Sequence, residues 1–96
     1  MEDKTTLQLI PYPRDGVELA DMEGEGVLYS YEKETMVQLN KSAVVIWRLC
    51  DGKRTVKEIT ELIVDAFPEA ADKVAIDVSE TIARFQKEGV VELGEA

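Results

Sequence analysis

The run Met36-Val37-Gln38-Leu39-Asn40-Lys41-Ser42-Ala43 changes its hydrophobic period within one residue. Met36 to Leu39 reads as a short extended segment of β-formers. From Lys41 the apolar residues switch to helical spacing: Ala43, Ile46, Trp47 and Cys50 share one stripe, which Val44 and Leu49 widen. The pattern stops at Asp51-Gly52, where glycine suits the left-handed position after a last turn. At the switch, either Asn40 or Ser42 can cap the helix, because each side chain can accept a bond from an unpaired first-turn N–H.

The flanking segments can be placed around this junction. Val17 to Ala20 alternates weakly, Asp21 to Glu25 is a polar turn, and Gly26 to Tyr31 is rich in β-formers. Glu32 to Thr35 would then close a hairpin onto Met36–Leu39. Residues 1–14, with Pro11-Tyr12-Pro13, read as a flexible N-terminal arm before a domain spanning 15–93. After Gly52, Thr55 and Glu58 have the capping-box spacing of a second helix. Its stripe of Ile59, Leu62, Ile63, Ala66 and Phe67 ends at Pro68. A third helix is expected from about Asp72 to Glu88, with Gly89 behind it and a core stripe of Val74, Val78, Ile82 and Phe85. Leu62, Phe67, Val78 and Phe85 are the expected core anchors. Ile76 and Ala83 fall nearly opposite that stripe, near Ser79, Gln86 and Lys87. Val90 to Leu93 is a last short extended segment. The order predicts an α+β fold: a small antiparallel N-terminal sheet, three helices in a winged helix-turn-helix-like arrangement, and a short C-terminal strand.

Composition excludes several chemistries. The 96 residues contain no histidine, so the commonest general base and metal ligand is missing. One cysteine makes neither an internal disulfide nor a zinc or iron–sulfur site, and no phosphate-binding glycine loop is present. The six glycines all fall at expected turns or element ends. The expectation is a non-enzymatic chain with no catalytic residues, no metal and no cofactor. The N-terminus lacks the basic region and apolar run of a signal peptide, and no segment has the apolar length of a membrane span. The buried-looking single thiol fits a reducing compartment, so a cytoplasmic location is expected. A net charge of −9, spread over both halves, disfavours nucleic acid and anionic membranes.

The ordered set Leu39-Asn40, Ala43, Ile46-Trp47, Asp51-Gly52, Thr55-Val56, Ile59, Leu62, Asp77-Val78, Phe85 and Gly89-Val90 resembles the PqqD family. These domains are also described as recognition elements for ribosomally made, post-translationally modified peptides. The resemblance implies a non-catalytic module that binds the leader of a precursor peptide and presents it to a modifying enzyme, often a radical S-adenosylmethionine protein. It further implies that the leader adds as a strand to the sheet edge, beside the third helix. Carried onto this chain, the edge would be Met36, Val37, Gln38 and Leu39. The opposite wall would be the second face of the third helix: Ile76, Ser79, Ala83 and Lys87. The Leu39-Asn40 junction would then hold the edge rigid, which lowers the ordering cost of binding.

Two alternatives stand beside this reading. One is a general protein-interaction adaptor. The other is a DNA-binding winged helix, but its recognition helix, 72–88, would carry Asp72, Asp77, Glu80 and Glu88 against Lys73, Arg84 and Lys87. A DNA reader should instead show a basic footprint there.

Overall fold

The computed structural model describes residues 6–95. In it the alternating segments form a three-stranded antiparallel sheet: β2 (Val17–Met22), β3 (Glu25–Ser30) and β4 (Thr35–Leu39), in the order β2-β3-β4. Leu28, Val37 and Leu39 turn inward and are buried, whereas Met36 and Gln38 face out. Asn40 then starts α1 (Lys41–Leu49). Its Oδ1 accepts a bond from the Ala43 N–H at 2.9 Å, which decides the cap in favour of Asn40 over Ser42. Ala43, Val44, Ile46 and Cys50 settle on the inner face of the sheet. One glycine departs from the expected role. A Cβ on Gly26 would stand 2.8 Å from Leu19 Cδ1 and 2.9 Å from Val44 Cγ2, so its absence is what lets the helix approach β3.

The capping box of α2 (Val56–Ala66) forms as expected. Glu58 N–H donates to Thr55 Oγ1 at 3.1 Å, and Thr55 N–H donates to Glu58 Oε1 at 2.9 Å. The stripe of this helix differs from the expected one. Val56 and Ile59 are buried and Ile63 half-buried, but Leu62 is 45% and Phe67 59% exposed. The buried line runs through Val56, Ile59 and Ile63, and Leu62 lies about 60° off its far side. Phe67 has already left the helix, at φ −136°, so its ring no longer follows the helical phase. A 3₁₀ turn, Pro68–Ala70, then leads into α3 (Ala71–Glu88), which ends at Gly89 with φ +79°. Val78, Ile82 and Phe85 of α3 are buried, with Val74 half-buried beside them, as the spacing predicts. The Trp47 and Phe85 rings meet edge to face, centroids 5.6 Å apart, which makes Trp47 a packing residue of the core.

The arm expected over residues 1–14 does not extend through 10–13. Ile10–Pro13 forms β1 and pairs antiparallel with β5 (Val91–Gly94), with Ile10↔Gly94 and Pro13↔Val91 at the ends of the register. Ile10 and Pro11 are buried. Two prolines fit this ribbon because the ladder alternates. Arg14 N–H donates to Val90 O at 3.0 Å, so positions 10, 12 and 14 make the bonds, and Pro11 and Pro13 fall where no donor is needed. Residues 1–5 of the expected arm lie outside the described residues.

Candidate functional site

A three-stranded sheet has two free edges, and here one of them runs beside a helix. Among the described residues β4 pairs with β3 alone. Arg84 of α3 crosses to it, and its Nη2 donates to the backbone carbonyl of Gln38 at 2.8 Å. That contact fixes the direction of the edge. If the Gln38 carbonyl points away from β3, then by alternation so do the Gln38 N–H and both backbone groups of Met36. The groups of Val37 and Leu39 are turned into the ladder instead.

The helix runs antiparallel to the strand. At one end, a Cβ on Gly89 would meet the Lys33 side chain of the β3–β4 turn. At the other, Asp77, two turns before Arg84, lines a hollow together with Lys41 and Ser42, which follow β4 directly. Seven helical residues rise about 10.5 Å. The three strand steps from Gln38 to Lys41 span about 10 Å. The two elements therefore keep pace along their length.

The hollow holds about 380 Å³ and lies between the start of α1, the end of α2 and the first turns of α3. Val45, Ile46, Ile63, Phe67 and Val74 make its floor and walls apolar, and Lys41, Lys73 and Asp77 stand among them. Val45 and Phe67 are 49% and 59% exposed, so the apolar surface opens to solvent where the β4 edge ends. The expected core anchor Phe67 is thus a lining residue of this hollow.

The wall expected from the sequence is divided by the structure. Met36, Val37, Gln38 and Leu39 form the edge strand. Ile76 and Ser79 do not face it: with Thr6, Leu7, Val56, Ala75 and Glu80 they line a separate hollow. Taking 100° per residue, Ile76, Ala83 and Ser79 lie about 80–140° round the helix from Arg84. The flank that meets β4 and the apolar hollow carries Arg84, Thr81, Asp77 and Val74 instead. Ala83 and Lys87 are exposed on the side away from Thr81. The core stripe has two shoulders on the helical wheel, and the wheel does not say which one a neighbouring strand will meet.

Two further groups bear on chemistry. Burial, with Asp51 next to it, pushes the Cys50 thiol up to about 12, so at neutral pH it is a protonated packing group and not a nucleophile. Asp51 is held below the usual carboxylate range, chiefly because Lys53 N–H donates to it at 3.0 Å, with Arg54 also alongside. It organises the turn between α1 and α2. Among the described residues no group of three or more metal-ligating side chains converges. No described helix is long and apolar enough to cross a membrane. The DNA-reading alternative draws no support from α3, because its central cation, Arg84, is committed to the strand.

Most of the chain is similar to known proteins. No curated protein matches. The fold is similar to that of a solved structure described as TbiB1 in complex with the TbiA(beta) leader peptide. The TM-score is 0.73 at 21% identity, over 84% of this chain and 94% of that one. The family model for coenzyme PQQ synthesis protein D matches residues 25–91, from the start of β3 to the first residue of β5. That span takes in the edge strand, the capped junction and helices α1, α2 and α3, and on it the chain belongs to the PqqD family.

Proposed function

We propose that this chain is a non-catalytic module that binds the leader of a ribosomally made precursor peptide and presents it to a modifying enzyme. A radical S-adenosylmethionine protein is the favoured class of partner. The observation that carries this reading is the β4 edge, where outward backbone groups of Met36 and Gln38 run beside α3 and end at an apolar hollow. An incoming strand would satisfy those groups with its own backbone, which needs no particular side chain. Selectivity would come from alternate side chains, one row turned toward Arg84, Thr81 and the hollow, the other toward solvent with Met36 and Gln38. Family membership and the peptide complex of the similar TbiB1 structure support the same reading.

An antiparallel addition sets the direction. The peptide would run from the Leu39 end of β4 toward the Thr35 end, so its N-terminal side chains would meet the hollow. The test uses the synthetic leader of a precursor encoded beside this gene. Calorimetry should show saturable one-to-one binding, and the amides of Met36 and Gln38 should become protected from exchange. A leader that binds while those two amides exchange freely would place the peptide elsewhere. The absence of any binding would remove the leader-peptide reading and leave the interaction adaptor.

A further inference from the structure

Arg84 occupies an acceptor that strand addition needs. Its guanidinium donates to the Gln38 carbonyl, one of the outward groups of β4. In an antiparallel pair, the residue opposite Gln38 gives its N–H to that carbonyl and accepts the Gln38 N–H in return. The carbonyl oxygen can accept two bonds, but an arriving strand would lay its backbone along the edge where the guanidinium now sits and so would displace the side chain.

We propose that Arg84 is a specificity-determining residue of this groove: once displaced from Gln38, it selects a peptide that carries an Asp or Glu beside the residue pairing with Gln38. The proposal rests on the strand-addition reading above and adds the chemistry of the ligand to it. The geometry sets the position of the acid. A residue directly opposite Gln38 points its side chain to solvent, as Gln38 does, whereas its two neighbours point inward, as Val37 and Leu39 do. Those neighbours face the α3 side, where Arg84 lies. A displaced guanidinium there needs a planar acceptor, and a carboxylate matches its paired donors. Among the described residues no carboxylate takes that place. Among the described residues the ion pairs engage Arg14, Arg48 and Arg54, and none engages Arg84, although Glu80 and Glu88 sit one helical turn away on either side. Farther along the groove Lys41 and Lys73 outnumber Asp77, so the entry for the peptide is locally positive on a protein of net charge −9.

A display library of random short peptides provides the test, selected in parallel on the wild-type protein and on Arg84→Gln and Arg84→Glu variants. An exposed position predicts that both variants fold, and melting curves check it. Wild type should return peptides with Asp or Glu enriched at one fixed spacing from an apolar residue. Resynthesised, these should bind about tenfold more tightly than their Gln or Asn counterparts, the size expected for a charge-assisted bond in a half-open groove. R84Q should lose that preference while keeping the apolar one, and R84E should exchange it for Lys or Arg. Peptides that bind across β4 with no acidic preference, or an acidic preference that survives in R84E, would overturn the role of Arg84 and leave strand addition standing. Recovery of no binding peptide at all would overturn both.

Discussion

The two free edges of the same sheet are not equivalent. β2, VELADM, carries Glu18 and Asp21 and turns through Glu23, and Asp21 is held by Arg48 of α1. β4, TMVQL, carries no charge and lies along α3. Charges on an exposed edge discourage a second strand from pairing, because addition would bury or crowd them. An uncharged edge with a helix for a wall does the reverse: among the described residues no strand pairs with its outward backbone groups, one of which only a side chain holds, and incoming side chains have something to pack against. The difference teaches that a small domain can keep one edge closed and the other available without changing the backbone.

The largest expected effect comes from removing the anchor of the wall. Phe85→Ala should cost about 3–5 kcal/mol, because the ring is fully buried and packed on Trp47. Phe67→Ala should cost under about 1 kcal/mol, because that ring is 59% exposed. Thermal melts of the two variants compare a core ring with a lining ring directly, and equal losses would mean that the hollow is part of the core. Next comes the edge itself. Gln38→Pro removes an outward donor without breaking the β3–β4 ladder, whereas Asp21→Pro does the same on β2. Titration with a leader peptide should show Q38P weakened about tenfold or more and D21P unchanged, on the scale of one lost backbone bond plus the register it sets. If D21P were the damaging change, the available edge would be the other one.

Asn40→Ala should cost about 1 kcal/mol, the usual worth of a helix cap. It should also loosen the end of β4, seen as faster amide exchange at Leu39, while β2 is unaffected. The smallest effect separates the two shoulders of α3. Thr81→Arg should obstruct the flank beside β4, and Ala83→Arg, on the other flank, should leave both affinity and melting temperature unchanged. Weakening by A83R instead would return the wall to the Ile76, Ser79 and Ala83 side.

Much of the fold is legible in the chain because it is local. The start of α1 at Asn40 or Ser42, the Thr55/Glu58 box, the stop at Gly89 and the stripe of Val78, Ile82 and Phe85 all act within a few residues, so spacing reveals them, and only the choice of Asn40 as the cap waits for the structure. The β1 strand is not legible. Pro11 and Pro13 argue against pairing until the partner shows that they fall on the positions that make no bond. Phe67 reads as core because the helical period is carried one residue past the point where the backbone leaves the helix.

The candidate site divides along the same line. From its residues alone the chain determines the uncharged strand at 36–39, its direct passage into α1 and the amphipathic third helix, since each depends on neighbours in sequence. Which shoulder of that helix stands beside the strand is set by how α1, α2 and the sheet pack around Phe85, a choice among distant residues that no period encodes. That packing brings Arg84 to the Gln38 carbonyl and turns Ile76 and Ser79 toward Leu7 and Val56.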